Sequence, residues 1–277
     1  MNKVIRGLLS REQKFFLDIL QAQESLTDTQ KEIYRHETVL ERRLRISSEL
    51  FQKFNGVVQA GAFKGLKLNP VPAWGTTDLP AMLLGCYEPE VLRTIFSKPT
   101  ADLSAFVNLG AADGYYVSGG LYSQRFRSAY GFEATLAGRE ATEKAAALNG
   151  VRDRLIISGT ADSRFFEQLH DVRMSDVFLL CDIEGGEFDV FDEHCLKSLR
   201  GSTIVIEIHN WVVDFWSKYE NLLVNASKFF SITTLSRIPS TLPKLRGLQA
   251  MHDDNRALML SEGRPNIMRY LKLSSAR

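Results

Sequence analysis

Between residues 104 and 208, short apolar runs alternate with stretches of helical periodicity, and this alternation constrains the fold more than any other feature of the chain. The runs are 106–109, 128–132, 155–157, 177–182 and 203–208, rich in β-branched and aromatic side chains; 135–149 and 187–199 lie between them as helices. Strands that are apolar throughout need both faces covered, and a helix between successive strands supplies that cover. The pattern predicts an α/β, doubly wound, Rossmann-like parallel sheet. Further on, 229–235 and 256–260 read as two more strands separated by a long loop, an antiparallel pair closing one edge.

The first 55 residues differ. The stretch 21–54 contains no proline or glycine, and Leu26, Ile33 and Leu40 recur every seven positions, with Leu44 and Phe51 on a neighbouring stripe. Gln30 and Glu37 interrupt that heptad. The segment 1–55 therefore reads as a helical extension packing on the main domain, with a short dimerisation or partner-binding coil as the sharper alternative. Asn55-Gly56, Gly61, Gly65, Pro70, Pro72, Gly75 and Pro80 punctuate a connector over 56–103, leaving 104–277 for the sheet.

Composition narrows the function. Lys and Arg number 34 against 33 Asp and Glu, a balance that removes the electrostatic case for a nucleic-acid or anionic-membrane surface. No run reaches the 18 or so apolar residues of a membrane span, and charges interrupt the apolar positions of the first 25 residues, unlike a secretory leader. Cys86, Cys181 and Cys195 are odd in number and form no metal-ligand pattern, which fits a reducing compartment. A cytoplasmic protein is expected.

In a doubly wound sheet, ligands bind beyond the carboxyl ends of the strands. The first strand runs into Asn108-Leu109-Gly110-Ala111-Ala112-Asp113-Gly114, whose small residues let the backbone approach a ligand, although such a turn also serves plain packing. The glycines at 110 and 114 do not have the spacing of a dinucleotide-binding turn. Glu133 follows the second strand, 23 positions after Gly110, where a carboxylate accepts from both ribose hydroxyls of a nucleoside; the plainer reading caps the next helix. Asp162, after the third strand, suits an adenine amino group or a helix cap.

The fourth and fifth strands deliver Asp182-Ile183-Glu184-Gly185-Gly186-Glu187 and Glu207-Ile208-His209. Residues two apart on a strand point the same way, so Glu207 and His209 project together and Asp182 can join them. The three suit a divalent metal, or His209 as a general base held by a carboxylate, or a structural hydrogen-bond network. Two adjacent strands both ending in ionisable residues exceed what packing requires. Elsewhere, His194 and Cys195 read as helix-face residues, His36 and His170 as surface, and His252 as a turn before a strand. Phe215, Trp211 and Trp216 wall the site or pack into the core.

The segments Leu84-Gly85-Cys86-Tyr87-Glu88, Val107-Asn108-Leu109-Gly110-Ala111-Ala112-Asp113-Gly114-Tyr115-Tyr116, Gly131-Phe132-Glu133, the 182–187 cluster and Glu207-Ile208-His209 together resemble the FkbM-type methyltransferases. These are a branch of the class I S-adenosylmethionine-dependent superfamily, many of whose members methylate hydroxyls of sugars or polyketide-derived products. The resemblance spans about residues 75 to 265. It implies a seven-stranded sheet whose last strand is antiparallel. It also implies cofactor contacts from Tyr87, Glu88, Asn108, Gly110, Ala111, Asp113, Glu133, Asp162 and Asp182. In that scheme the 110–114 turn holds the methionine part, Glu133 the ribose and Asp162 the adenine, while Tyr87 and Glu88 form a lid and Asp182 lies near the methyl group. Asn108 departs from the acidic residue usual in the family; its carboxamide oxygen still accepts a hydrogen bond but carries no charge.

The expected reaction is methyl transfer to a hydroxyl of a sugar, glycan or glycosylated metabolite. Catalysis is expected from His209 and Asp182, with His209 as base, or from magnesium or another divalent cation on Asp182, Glu207 and His209. The alternatives are a nitrogen or carboxyl acceptor, and a non-catalytic scaffold acting through the N-terminal helix or forming a homo-oligomer. A nicotinamide-dependent oxidoreductase is disfavoured by the glycine spacing.

Overall fold

The computed structural model describes residues 3–24, 35–70, 72–73, 76–245, 248–264, 266 and 268–275. Its centre is a seven-stranded sheet. The strands are β1 (Ala105–Leu109), β2 (Ser128–Phe132), β3 (Leu155–Ser158), β4 (Val177–Cys181), β5 (Thr203–Ile208), β6 (Phe230–Thr234) and β7 (Arg269–Ser275). They lie in the order β3-β2-β1-β4-β5-β7-β6. The pairs among β1 to β5 are parallel, and β7 runs antiparallel between β5 and β6. This is the doubly wound sheet expected from the alternating pattern, with the reversed last strand the resemblance implies.

Strand periodicity divides the core. Val177, Leu179 and Cys181 of β4, with Ile204, Ile206 and Ile208 of β5, face one layer, formed by α7 (Glu187–Val190), α8 (Glu193–Ser198) and α9 (Phe215–Ser227). Phe178, Leu180 and Val205 face the other, built from α4 (Pro89–Ile95), α5 (Tyr115–Tyr122) and α6 (Leu136–Leu148). The alternation continues past the strand ends, so Asp182, Glu207 and His209 all fall on the second face.

A satellite core joins α2 (Val39–Phe54), α3 (Leu79–Leu84) and α10 (Asp253–Leu260) through Ile46, Leu50, Leu83, Leu84, Leu248 and Met259. A reciprocal capping box starts α2: Glu41 N donates to Thr38 Oγ1 at 3.2 Å, and Thr38 N to Glu41 Oε2 at 2.7 Å. On α1 (Lys3–Glu24), Val4, Ile5, Leu8, Leu9, Phe15 and Phe16 are exposed. Leu26 and Ile33, two of the heptad positions, lie outside the described residues.

Three expectations are corrected. The run 256–260 is not a strand but the second half of α10, whose start is capped by His252: Asp254 N donates to His252 Nδ1 at 3.3 Å. A short apolar run does not distinguish strand from helix, and here the polar start decides. The strand beside β5 is β7, formed by Arg269–Ser275. The single helix expected over 187–199 is two, α7 and α8, with Asp192 capping the second by accepting from Cys195 N at 2.7 Å.

Candidate active site

Register brings the site together. Leu109 of β1 pairs with Phe132 of β2 and with Cys181 of β4, so the turn after β1, Glu133 and Asp182 emerge at one edge. Cys181 pairs with Ile206, and Glu207 with Tyr270, which sets Glu207 beside Asp182 and Tyr270. Order reverses at β1, whose neighbours are β2 and β4, and the cavities open over that point. At Gly110 a Cβ would come within 1.7 Å of the Asp182 carbonyl oxygen, and φ is +82°, so this turn admits only glycine.

Two cavities adjoin here. One, about 470 Å³, is lined by Tyr87, Glu88, Asn108, the 110–116 turn, Asp182, Trp211 and Arg264. The other, about 560 Å³, is lined by 133–135, 160–163, Ile183 and Gly186. Gly110, Ala112, Asp182 and Glu184 line both, so the two meet over the β1 turn.

Glu133 is buried, and both its oxygens are engaged. Oε2 accepts from Ala112 N at 3.0 Å, and Oε1 from Thr135 N and Thr135 Oγ1, each at 2.8 Å. Thr135 in turn caps α6 by accepting from Gly138 N at 3.0 Å, so Glu133 both orders the helix start and lines the second cavity. Asp162 accepts from Arg164 N at 2.8 Å and lines the same cavity. Asn108 is buried, and its amide nitrogen makes only long contacts of 3.4 Å with the carbonyls of Leu109, Gly110 and Leu180. Ala111 N donates to the Phe132 carbonyl at 2.9 Å, and Asp113 accepts from Ala73 N at 2.5 Å, tying the connector to the turn.

His209 is fully buried between carboxylates. Its Nδ1 lies 3.1 Å from Glu187 Oε1, which also accepts from His209 N at 2.9 Å; Glu187 Oε2 accepts from Gly185 N at 2.9 Å. Nε2 faces Asp182 Oδ1 at 3.4 Å, Glu184 Oε2 at 3.8 Å and Glu207 Oε2 at 4.0 Å. The Trp211 ring stands edge-on at 4.8 Å between centroids. Burial lowers the His209 pKa, but contacts with Asp182 and Glu187 outweigh it and hold the value at about 10. Burial pushes Glu207 up to about 10, with Asp182 and Glu88 adding to the effect. Asp182 goes the other way: burial raises it, yet His209 and Glu207 together bring it below the usual carboxylate value.

Around this cluster lies a network absent from the sequence reading. Arg264 makes ion pairs with Glu88 and Glu207, and with Glu262 at 2.9 Å. Glu88 also accepts from Tyr116 Oη at 2.5 Å and Tyr270 Oη at 2.7 Å, and burial raises it to about 7. Burial likewise pushes Asp78 up to about 6. Glu187 stood within the quoted motif but had no role there; its spacing five residues past Asp182 was the available signal. Arg264, on a loop far from any motif, gave none.

Among the aromatic candidates, Trp211 lines the cavity, Phe215 packs on Phe188 and Tyr219, and Trp216 is exposed. His36, His170 and His194 are exposed, and Cys195 is buried in the core.

No protein-family model matches the chain, and no curated protein matches it. Solved structures with a related chain path include a ribosomal protein L11 methylase from Lactobacillus delbrueckii subsp. bulgaricus, 15% identical over 76% of this chain and 86% of its own, with a TM-score of 0.45. A SAM-dependent O-methyltransferase from Thermotoga maritima is 10% identical, covering 73% of this chain and 72% of its own, with a TM-score of 0.46. Aeropyrum pernix fibrillarin, in complex with S-adenosyl-L-methionine, is 13% identical over 66% of this chain and 72% of its own, with a TM-score of 0.43. At these values the likeness concerns chain path alone.

Proposed function

We propose that the chain is an S-adenosylmethionine-dependent methyltransferase of FkbM type, acting on a hydroxyl of a sugar, glycan or glycosylated metabolite. The observation that carries this reading is the pair of adjoining cavities at the point where strand order reverses, with Glu133 and Asp162 in one and the acid–histidine cluster at the junction. Adenosine would occupy the second cavity, its ribose against Glu133 and its adenine towards Asp162. The methionine part would lie along the 110–114 turn, in reach of Asn108, Ala111 and Asp113, with Tyr87 and Glu88 as walls. The sulfonium would then sit beside Asp182, whose ionised carboxylate opposes its charge.

Transfer forms a bond from the acceptor oxygen to the methyl carbon as the carbon–sulfur bond breaks, leaving a neutral thioether. The hydroxyl proton must leave as the oxygen attacks, and Asp182, Glu207 and His209 are the groups placed to handle it. In the free protein Asp182 and Glu187 hold the His209 pKa well above the ordinary imidazole value, so its work as a base requires positive charge to enter beside it. The remaining contribution is alignment of acceptor and methyl in line.

Calorimetric titration with S-adenosylmethionine, with NADH in parallel, tests the reading. Micromolar binding of the first, weakened by Glu133→Ala, and none of the second is expected. NADH binding without S-adenosylmethionine binding would replace the reading with hydride transfer.

A further inference from the structure

Three side-chain atoms at the junction of the cavities converge without a hydrogen-bond partner among the described residues. They are Asp182 Oδ1, Glu207 Oε2 and His209 Nε2. Glu207 is 1% exposed and His209 fully buried, so two of these atoms are out of water with no hydrogen bond in its place. A buried polar atom left in that state is destabilising, and a fold does not gather three at one point without an occupant. Nε2 and Asp182 Oδ1 are 3.4 Å apart but too poorly aligned to form a hydrogen bond.

The ligand atoms all lie within 4.8 Å of one another, a span one ion can bridge. In His209 and Glu207 the other atom is already committed. Glu187 holds His209 Nδ1 at 3.1 Å, which fixes the ring so that Nε2 is the free nitrogen; this carboxylate–imidazole arrangement orients metal-binding histidines. Arg264 occupies Glu207 Oε1 and leaves Oε2 facing the cluster. Glu184 brings a further carboxylate to the same junction, 3.8 Å from His209 Nε2.

We propose that Asp182, Glu207 and His209 form a divalent-cation site with two carboxylate oxygens and one imidazole nitrogen, a donor set suited to manganese, iron or zinc rather than to thiolate-seeking ions. Ligands come from two adjacent strand ends only, so one side of the ion faces the 470 Å³ cavity and remains open to an oxygen-rich ligand. An ion there acidifies a hydroxyl bound to it. His209 is then a ligand rather than a base. This inference rests on the methyltransferase reading only for that chemical role; the site itself stands on the three atoms.

The test is a titration of the full chain with manganese, read from the electron paramagnetic resonance of the free ion, alongside calorimetry with S-adenosylmethionine on the same preparations. One manganese per chain is expected, with affinity lowered about 10-fold or more in Asp182→Asn and Glu207→Gln and unchanged in Glu193→Gln, an exposed carboxylate elsewhere. Asp182→Asn is the safer of the two, since Glu207 also anchors Arg264. Equal affinity in all variants, or no saturable manganese binding, overturns the site. S-adenosylmethionine binding without manganese binding overturns the site and leaves the methyltransferase reading; manganese binding without S-adenosylmethionine binding does the reverse.

Discussion

Replacing Glu187 by glutamine isolates the residue that fixes His209. The side chain is fully buried and accepts three hydrogen bonds: Oε1 takes His209 N and Nδ1, and Oε2 takes Gly185 N. A carboxamide has one acceptor oxygen. With that oxygen kept towards His209, its amino group meets the Gly185 N–H, donor against donor. Stranding that buried donor is destabilising by about 1–3 kcal/mol, and the two remaining bonds lose the charge that strengthened them, together about 1 kcal/mol more. The expected total is about 3 kcal/mol, or a melting point lowered by about 6 °C at this chain length. Thermal and denaturant unfolding measure it. Histidine NMR provides a second readout, because loss of the Glu187 charge lowers the titration midpoint of His209. A melting point within about 1 °C of the parent and an unmoved midpoint would refute the account of Glu187 as the holder of the imidazole.

The remaining predictions concern the same edge of the sheet. Glu88 is raised from 4.5 to about 7 by burial, so over that window the folded protein keeps a proton the unfolded chain has released, and stability falls as pH rises. His209 extends the fall: its contribution is complete below 6.5 and lost as pH rises through about 10. Unfolding midpoints of the ligand-free protein should therefore decline from mildly acidic to alkaline pH, and a rise over that range would contradict both assignments. Arg264→Ala leaves buried Glu88 and Glu207 without their guanidinium and should destabilise by about 3 kcal/mol in denaturant unfolding, with partial recovery on adding Glu88→Gln. Gly110→Ala should abolish S-adenosylmethionine binding in calorimetry, since its Cβ would drive the β1 turn away from Asp182.

Much of this site was legible because it obeys local rules. Strands β1 to β5 were readable as short apolar runs, and the residues after each strand were the ones to inspect in a doubly wound sheet. Period-two alternation placed Glu207 with His209, and register then brought Asp182 to them. The far edge was not legible. Arg256-Ala257-Leu258-Met259-Leu260 is apolar enough for either structure, and only its capped start and the packing of Met259 on the α2 layer make it helical. Arg269–Ser275 carries an arginine, a lysine and two serines, which hid a strand flanked on both sides by partners. Arg264 and Tyr270 lay out of view for the same reason: they reach Glu88 across 176 and 182 positions of sequence, which no spacing rule spans.

A crystal structure with S-adenosylhomocysteine would test the central claim most directly. The account predicts the ribose hydroxyls on Glu133, the adenine in the cavity beside Asp162, and the sulfur at the junction next to Asp182. Density for the ligand outside the two cavities, or its adenine against Arg264 with Glu133 untouched, would contradict it.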